Sequence, residues 1–367
     1  MSKETIVFVI NSLQRGGAER VVSVLGNSLD EKTYKVIIVC LNEAEQAYQV
    51  SNSVKIINLL HRTGKENVLN RVKYGFLTFY RLVKLLLKEK PFCAISFMTS
   101  ANLWTGISSR LLNIPYIVSE RTTPDHTINE FGFLLKWISS IIYRESKAIV
   151  VPSKGIEDCM KQTKAFQNLK NYKVIRNPIN IFKISSNIKV HSRKFILGVG
   201  RLGYEKGFDQ LILAFGGLKF YDIDLLIVGE GNEKQNLIEL ITKLKLNDRV
   251  YLLGAKNELL DYYKQAELFV LPSRNEGYPN ALIEAMSNGC ACVAMNCEFG
   301  PSEIIKNGVN GLLVENNNVH LLSKAIFKIL INPILKEKLS VNAKQICQTN
   351  SLDAISRKWE ELIHCES

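Results

Sequence analysis

The sequence lacks the features that would mark a membrane-spanning, secreted or metal-binding protein. No apolar run approaches the roughly 20 residues that a helix needs to cross a bilayer. Residues 1–4 lead at once into a strand-like run, which is not the pattern of a signal peptide. The eight cysteines include no C-x-x-C pair, and Cys290 and Cys292 fall in an apolar run. We therefore expect a cytoplasmic protein in which these two cysteines lie in a buried strand and not in a metal site.

Positive charge is in excess in only one half of the chain. Residues 1–180 contain 25 Lys and Arg against 14 Asp and Glu, whereas residues 181–367 contain 22 against 21. A basic first half is expected to face an anionic partner such as a membrane surface, a nucleic acid or a diphosphate. With 367 residues, the chain is long enough for two domains.

Short β-branched runs alternate with helical stretches along almost the whole chain. Continuous apolar strands between helices are typical of parallel sheets that are covered on both faces. We therefore predict an α/β fold of two Rossmann-like, doubly wound domains that face each other across a cleft. The predicted N-terminal domain spans 1–178 and the C-terminal domain 194–350, with a linker at 179–193 and a last helix within 351–367.

The most informative stretch combines a strand, a loop and a helix. The apolar run Leu268–Leu271 precedes a loop that contains Gly and Pro, and Asn280 is the predicted N-cap of the helix that follows. The N–H groups at the start of such a helix favour an anion such as a nucleotide diphosphate. Glu276 and Glu284 flank the helix start, so both carboxylates can accept hydrogen bonds from the hydroxyls of a sugar or ribose.

A glycine-rich turn, Gly198–Gly207, also follows a predicted strand and precedes a helix. Arg201 and Lys206 lie in this turn, where Arg can hold a diphosphate through two parallel hydrogen bonds and Lys through its point charge. Two basic residues in the context G-R-L-x-x-x-K-G favour a phosphate site over an ordinary surface pair.

These motifs resemble those of the retaining glycosyltransferases of family 4, which have the GT-B fold. Glu276 and Glu284 match the family's E-x7-E motif, and Arg201 and Lys206 match the basic pair that binds the donor's pyrophosphate. The resemblance implies that Glu276 and the backbone of residues 277–280 hold the sugar hydroxyls. It also implies that Glu284 holds the ribose of the nucleotide.

The first predicted strand ends in a loop with a glycine pair, Gly16-Gly17. A dehydrogenase would need G-x-G-x-x-G at this place, so the loop argues against a dinucleotide site. A tight turn without a ligand is one interpretation that the local sequence leaves open. In the family the matching turn lies close to the donor phosphates and the acceptor, and a glycine that matches Gly254 lies near the nucleoside base. The donor-binding residues implied by the resemblance are Gly16, Gly17, Arg201, Lys206, Gly254, Glu276, Gly277, Tyr278, Pro279, Asn280, Ala281, Leu282 and Glu284.

Polar residues follow the fifth predicted strand in the order Ser119-Glu120-Arg121. Side chains at the carboxyl end of a parallel strand face the ligand crevice of an open α/β sheet. Glu120 is therefore the candidate for the acid or base that acts on the acceptor, and Arg121 is a candidate acceptor contact. A structural carboxylate, paired with Arg121 or with a helix end, fits the sequence equally well.

Residues 67–90 form a predicted amphipathic helix. Its broad apolar face consists of Leu69, Val72, Phe76, Phe79, Tyr80, Val83, Leu86 and Leu87, and the stripe beside it consists of Lys73, Arg81, Lys84 and Lys88. One interpretation is an ordinary solvated edge on a helix that packs against the sheet. The other is contact with anionic lipid headgroups or with the diphosphate of a lipid-linked acceptor. The apolar run 131–137 would add to such an interface or be buried between the domains.

The resemblance implies a retaining hexosyltransferase that uses a UDP-sugar. The resemblance is greatest to bacterial enzymes of O-antigen, capsule or protein-glycan assembly. It implies transfer of a hexose or N-acetylhexosamine to a polyprenyl-diphosphate-linked glycan at the cytoplasmic face of the inner membrane. A nucleotide-sugar epimerase or hydrolase of the same fold and a non-catalytic nucleotide-sugar-binding protein are the alternatives. A nucleic-acid partner ranks last because no recognised motif supports it.

The predicted catalytic residues are Glu276, Lys206, Arg201 and Glu120. Arg201, Lys206 and the helix start at residues 280–282 would stabilise the diphosphate as it leaves the sugar. Because these groups already supply positive charge, we expect neither a metal ion nor another cofactor.

Overall fold

The computed structural model describes residues 3–29, 32–61, 68–123, 127–179, 188–218 and 221–365. The chain forms two compact units, of which unit 1 consists of Met1–Pro178 and Leu352–Ser367, and unit 2 of Ile179–Ser351. Each unit contains one parallel sheet with helices between successive strands. This arrangement confirms the predicted α/β class with two doubly wound units. Residues 180–187 of the predicted linker lie outside the described residues.

Unit 1 contains a seven-stranded sheet in the order β3-β2-β1-β4-β5-β6-β7. Its strands are β1 (Glu4–Ile10), β2 (Tyr34–Cys40), β3 (Lys55–Asn58), β4 (Cys93–Phe97), β5 (Tyr116–Ser119), β6 (Ala148–Val151) and β7 (Tyr172–Val174). Its helices are α1 (Gly17–Ser28), α2 (Val68–Glu89), α3 (Thr99–Leu112), α4 (Phe133–Glu145), α5 (Lys154–Gln162) and α14 (Leu352–His364). The strand order reverses beside β1, so the loops that follow β1 and β4 are neighbours at one edge of the sheet.

The two faces of this sheet are covered by different helices. Successive side chains of a strand point to opposite faces, which is why β1 must be apolar throughout to be buried on both. Phe8 packs in a cluster with Trp359 of α14, whereas Val9 packs in a cluster with Leu82 and Leu86 of α2. The last helix of the chain is therefore part of the core of unit 1.

Unit 2 contains a six-stranded sheet in the order β10-β9-β8-β11-β12-β13. Its strands are β8 (Phe195–Val199), β9 (Asp224–Val228), β10 (Val250–Leu252), β11 (Leu268–Leu271), β12 (Cys292–Asn296) and β13 (Leu312–Glu315). Its helices are α6 (Phe208–Gly216), α7 (Lys234–Lys243), α8 (Leu260–Gln265), α9 (Asn280–Ser287), α10 (Pro301–Ile304), α11 (Val319–Leu330), α12 (Pro333–Ala343) and α13 (Ile346–Asn350).

The structure adds to the sequence prediction and corrects it in detail. The edge strands β7 and β13 were not predicted, because each is short and only partly buried. Helix α9 begins at Asn280 with Pro279 in the capping position, so the prediction of Asn280 as N-cap was wrong by one residue. Cys290 and Cys292 are both buried, as predicted, but only Cys292 lies in a strand, because β12 begins there. All eight cysteines are free thiols. Burial raises the pKa of the Cys290 thiol to about 12, which makes it unreactive.

Candidate active site

The candidate site of unit 2 lies at the carboxyl edge of its sheet, where β8 and β11 are neighbours. The strand order reverses at this point, and such a position forms the crevice in which α/β proteins bind ligands. The loops that follow these strands, residues 200–207 and 272–279, therefore run side by side. They are joined by backbone hydrogen bonds, because the N–H groups of Arg274 and Asn275 donate to the Glu205 carbonyl at 2.8 and 3.3 Å.

Glycines allow the loops of this site to approach closely. A Cβ atom on Gly207, which has φ +65°, would lie 2.1 Å from the Pro272 carbonyl oxygen. A Cβ atom on Gly229 would lie 1.8 Å from the Gly200 carbonyl oxygen. Gly254 follows β10, and its carbonyl accepts the N–H of Gly229 at 2.9 Å. The segments that follow β8, β9 and β10 are thus in direct contact. The position of Gly254 near a nucleoside base stays a prediction.

Glu276 and Lys206 form a salt bridge between the two loops. Lys206 Nζ lies 2.6 Å from Glu276 Oε1, and Ser273 Oγ donates to the same oxygen at 2.7 Å. Glu276 is only 8% exposed. The fold therefore brings together two predicted catalytic residues that are 70 positions apart in the sequence. Ser273 was not predicted as a site residue, although it lies three positions before Glu276.

Arg201 belongs to the same turn but contacts a different carboxylate. Its Nη2 and Nε atoms lie 2.6 and 3.2 Å from Glu205 Oε1. Burial raises the pKa of the Glu205 carboxyl, but the hydrogen bond and charge of Arg201 outweigh this effect and leave the pKa below its usual value. The Arg201 side chain is 68% exposed, so an anionic ligand can reach the guanidinium and compete with Glu205 for it.

Arg274 holds the two loops together and was missed in the sequence. Its guanidinium makes a bidentate contact with Asp209 of α6, with distances of 2.8 and 2.6 Å. It also stacks on the ring of Tyr204, with 4.2 Å between Cζ and the ring centroid. The sequence shows an arginine two positions before Glu276, but no local pattern identifies its partners, Asp209 and Tyr204, which are at least 65 positions earlier in the chain.

The loop after Glu276 leads into helix α9. Tyr278 is 6% exposed, and its ring packs in the core of unit 2. Gly300 has φ +87°, and a Cβ atom there would lie 2.9 Å from Pro279 Cδ and 3.0 Å from the Gly277 carbonyl oxygen. The residue in the capping position, Pro279, makes no side-chain cap hydrogen bond. The Leu282 N–H donates to the Pro279 carbonyl at 3.2 Å, and the binding of a diphosphate at the start of α9 stays a prediction.

Glu284 is almost completely enclosed. It lies in the second turn of α9 and is 1% exposed. The hydroxyl of Tyr263, also 1% exposed, donates to Glu284 Oε2 at 3.1 Å. A hydrogen bond between two buried groups fixes the orientation of the carboxylate. Its predicted role as a ribose ligand stays a prediction.

In unit 1, the Gly16-Gly17 turn is held by a tyrosine from a distant loop. The Tyr48 hydroxyl donates to the Gly16 carbonyl at 3.0 Å and lies 3.3 Å from the Gly16 N–H. The turn leads directly into α1, which begins at Gly17. At the neighbouring strand end, Ser100 Oγ donates to Asn11 Oδ1 at 2.7 Å. The turn therefore occupies the carboxyl edge of the sheet, as predicted, and its contact with donor phosphates stays a prediction.

Glu120 is a buried structural carboxyl group in this structure. It is completely buried, and it accepts hydrogen bonds from Thr99 at 3.0 Å, Asn102 at 2.9 Å and the Tyr143 hydroxyl. Burial raises its pKa to about 7, although these hydrogen bonds act in the opposite direction. The predicted role as acceptor acid or base therefore stays a prediction. The alternative of a structural carboxylate is supported by the three hydrogen bonds from Thr99, Asn102 and Tyr143, and Arg121 adds to them through its charge.

Arg121 is buried as well, so its prediction as a surface contact for the acceptor or membrane does not fit the structure. It is 9% exposed, and Nη1 donates to Asn177 Oδ1 at 2.7 Å. Its Cζ atom lies 4.8 Å from the centroid of the Phe97 ring and 6.0 Å from that of Trp359. Burial lowers its pKa to about 9. His126, which follows in the sequence, lies outside the described residues.

Helix α2 buries only part of the predicted apolar face. Leu86 of that face is completely buried, as is the unassigned Leu82, whereas four other residues assigned to the face are between 54% and 69% exposed. These four are Val72, Phe76, Tyr80 and Leu87. The helix contains apolar side chains around most of its circumference, and packing against α3, for example Gly75 beside Trp104, selects which of them are buried. The Leu69 side chain lies outside the described part of the chain.

The basic stripe of α2 is on the surface, as the sequence predicts. Lys73, Arg81, Lys84 and Lys88 are exposed, and Arg81 donates to the Leu59 carbonyl. Helix α4 exposes a second apolar group, which consists of Phe133, Leu134, Leu135 and Trp137 with exposures between 45% and 88%. None of the helices in the described ranges is long and apolar enough to cross a membrane.

The sequence contains one D-x-D triplet, Asp222-Ile223-Asp224, which was not considered as a possible metal site. Asp224 begins β9, at the end of the sheet opposite the candidate site, and its carboxylate contacts Arg249 at 2.9 Å and His191 at 2.7 Å. Asp222 pairs with Arg193. Within the described ranges, no cluster of three or more His, Cys, Asp or Glu side chains is suited to hold a metal ion.

The fold and this edge-of-sheet site define the class as a glycosyltransferase with the GT-B fold. Residues 15–181 match the family model described as Glycosyltransferase Family 4, and residues 181–346 match the one described as Glycosyl transferases group 1. The chain belongs to the family 4 glycosyltransferases, which confirms the resemblance read from its motifs.

Relatives agree with this assignment, and a solved structure agrees with the fold. The chain is 30% identical over 351 residues to the N-acetylgalactosamine-N,N'-diacetylbacillosaminyl-diphospho-undecaprenol 4-alpha-N-acetylgalactosaminyltransferase of Campylobacter jejuni, covering 91% of this chain and 92% of that protein. It is 28% identical over 361 residues to the amylovoran biosynthesis glycosyltransferase AmsD of Erwinia amylovora, and the match covers 95% of this chain and 96% of that protein. The solved structure of Anabaena HepE in complex with UDP and glucose is similar, with a TM-score of 0.81 and 19% sequence identity. The match covers 98% of this chain and 99% of HepE.

Proposed function

We propose that this glycosyltransferase transfers one hexose or N-acetylhexosamine from a UDP-sugar to a polyprenyl-diphosphate-linked glycan. The name of the Campylobacter relative specifies transfer of N-acetylgalactosamine to a sugar on diphospho-undecaprenol, and that of the Erwinia relative specifies amylovoran biosynthesis. The structurally similar HepE has been solved with UDP and glucose. These properties support a role in the assembly of a bacterial surface polysaccharide or a protein-linked glycan.

The salt bridge between Lys206 and Glu276 is the observation that carries this proposal. A UDP-sugar presents a diphosphate and a ring of hydroxyl groups on either side of the bond that breaks. Lys206 supplies positive charge for the diphosphate, while the adjacent Glu276 can accept hydrogen bonds from sugar hydroxyls. A cation and a carboxylate held 2.6 Å apart by two different loops thus match both parts of the donor.

Stabilisation of the leaving group is the main catalytic task in this mechanism. The bond between the anomeric carbon and the UDP oxygen breaks, and a bond from that carbon to the acceptor oxygen forms on the same face of the sugar. The acceptor proton passes to the departing diphosphate, and the anomeric configuration is retained. Lys206, Arg201 and the first-turn N–H groups of α9 offset the negative charge that develops on UDP. Transfer by this route needs no divalent cation.

We further propose that unit 1 contacts the cytoplasmic face of the inner membrane, where such an acceptor is located. Val72, Phe76 and Tyr80 recur every four residues on α2 and are exposed, as are Phe133 and Trp137 at the start of α4. The basic stripe Lys73, Lys84 and Lys88 accompanies the apolar row of α2. Apolar side chains beside basic ones suit an anionic lipid surface, where each basic residue contributes about 1 kcal/mol.

The test is UDP release from a panel of UDP-sugars in EDTA, each with and without a polyprenyl-diphosphate-linked sugar. We expect release that requires one donor together with the lipid-linked acceptor, and its loss in Glu276→Ala. Equal release without acceptor would instead identify an epimerase or hydrolase. Activity only with an added divalent cation would contradict the metal-independent mechanism.

A further inference from the structure

A tyrosine hydroxyl attaches the loop that precedes α9 to the end of the chain segment that forms unit 2. Tyr278 stands between Gly277 and Pro279, the residues whose backbone would face the donor sugar. Its ring is buried in the core of the unit, and its hydroxyl accepts a hydrogen bond from Asn350 Nδ2 at 2.9 Å. Asn350 is completely buried. The bond therefore forms out of contact with water, where a hydrogen bond is strongest and a lost partner most costly.

Asn350 is itself fixed at both its side chain and its backbone. Its Oδ1 atom accepts a hydrogen bond from Thr349 Oγ1 at 2.8 Å, so the amide has a hydrogen-bond partner at each end. Its backbone carbonyl accepts the N–H of Ile179, also at 2.8 Å. Ile179 is the first residue of unit 2 and Ser351 is the last. Asn350 thus joins the two ends of the chain segment that forms unit 2.

We propose that Asn350 is a positioning residue for the donor loop, acting through the hydroxyl of Tyr278. This inference rests on the proposed function, because it assigns the sugar moiety of the donor to the backbone of residues 277–280. A phenylalanine at position 278 would fill the same apolar pocket, but it would leave the loop without this polar attachment. The Tyr278 hydroxyl therefore holds the loop in the position that faces the sugar, while the Tyr278 ring packs in the core of unit 2.

Loss of the bond between Asn350 and Tyr278 should affect recognition of the sugar part of the donor and not recognition of its diphosphate. The diphosphate is assigned to Lys206, Arg201 and the start of α9, and the side chains of Lys206 and Arg201 contact Glu276 and Glu205. A misaligned loop should thus weaken binding of a UDP-sugar more than binding of UDP. A general folding defect would weaken both ligands together and lower the melting temperature.

The experiment measures dissociation constants by calorimetry for UDP and for UDP-glucose, UDP-galactose and their N-acetylated forms. The variants are Tyr278→Phe, Asn350→Ala and their double mutant. Tyr251→Phe is the matched control, because its hydroxyl donates to the Asp248 carbonyl at 2.8 Å in the same unit, away from the loop. We expect both single variants to weaken the best UDP-sugar about 3- to 10-fold, the effect of one hydrogen bond, with UDP changed less than about twofold.

The double mutant provides the decisive comparison. If the two residues act through one bond, it binds the UDP-sugar no more weakly than Asn350→Ala alone. Additive losses, equal losses for UDP and UDP-sugar, or no loss in Tyr278→Phe would overturn the positioning role and leave the proposed function intact. If the unaltered protein binds neither UDP nor any UDP-sugar, the proposed donor is wrong and the positioning role is wrong with it.

Discussion

Glu120 and Lys206 occupy comparable places at the carboxyl edges of their sheets but have different surroundings. Glu120 is enclosed by hydroxyl and amide donors from α3 and α4. The Lys206 side chain is 25% exposed and faces a carboxylate from a neighbouring loop. A ligand can reach Lys206, whereas Glu120 has no surface to offer. The difference arises from residues that are remote in sequence, namely Asn102 and Tyr143 in one case and Glu276 in the other.

The buried Glu120 carboxyl predicts a pH-dependent stability of unit 1. Its pKa is raised from 4.5 to about 7 in the folded state, so the folded state binds this proton more tightly than the unfolded state does. The associated stability is fully present below pH 4.5 and is lost as the pH rises to about 7, by up to about 3 kcal/mol. Urea unfolding at pH 5 to 8 measures this loss. Tryptophan fluorescence follows unit 1, because all three tryptophans lie in it.

Glu120→Gln is the matched variant for this measurement. A glutamine can accept hydrogen bonds from Asn102 and Tyr143 with its oxygen and donate to Thr99 with its nitrogen, but it does not titrate. We expect the variant to fold and to lose this component of the pH dependence. The same decline in the free energy of unfolding with pH in both proteins would contradict the assignment.

At the scale of secondary-structure elements, close approach between loops depends on single glycines. Gly300→Ala would force the loop at Gly277–Pro279 to move, because the added Cβ meets backbone and ring atoms at 3.0 Å or less. We expect the KM for the donor to rise severalfold and the free energy of unfolding to fall by more than about 1 kcal/mol. Steady-state kinetics and urea unfolding of unit 2 measure the two effects.

Gly308→Ala separates backbone strain from displacement of the loop. Gly308 has φ +73°, similar to the +87° of Gly300, but an added Cβ would have no neighbour within 4 Å. The control should therefore lose stability through strain alone and keep the KM of the unaltered protein. Equal KM values for the two variants would show that Gly300 does not support the donor loop.

Helix α2 shows why burial cannot be assigned from periodicity alone. The predicted apolar face includes Leu86 together with Val72 and Phe76. Only its Leu86 side, with the unassigned Leu82, packs against the sheet. The exposed side with Val72 and Phe76 is what the membrane proposal requires, so the part of the face that was predicted wrongly has a functional consequence.

Replacement of the exposed stripe should reduce binding to membranes without loss of stability. We expect the triple variant Val72→Ser, Phe76→Ser and Tyr80→Ser to bind anionic phospholipid vesicles at least 10-fold more weakly in a sedimentation assay, because it removes apolar area that inserts among the lipids. The matched control is Ile334→Ser, which removes an 84% exposed apolar side chain from unit 2. Equal binding by all three proteins would contradict a lipid contact at α2.

At the scale of the whole molecule, the sequence predicts what depends on local patterns. The alternation of strands and helices, the two glycine-rich turns and the start of α9 within one residue all follow from short segments. The partners across the fold do not: Arg274 with Asp209, Tyr263 with Glu284 and Asn350 with Tyr278 each join residues at least 21 positions apart. The same limit applies to Glu120, whose partners Thr99, Asn102 and Tyr143 are 18 to 23 positions away in the sequence.

The mass of a lipid-linked acceptor before and after reaction tests the central claim most directly. The protein is incubated in EDTA with its active UDP-sugar and a polyprenyl-diphosphate-linked sugar, and the product is analysed by mass spectrometry and NMR. We predict a mass increase of one sugar residue with the donor's anomeric configuration retained. Lys206→Ala should lower the rate at least about 100-fold. Lys336→Ala, which breaks a comparable lysine–glutamate pair with Glu267 elsewhere in unit 2, should not. An unchanged acceptor, an inverted linkage or an equal effect of the two lysine variants would contradict the account.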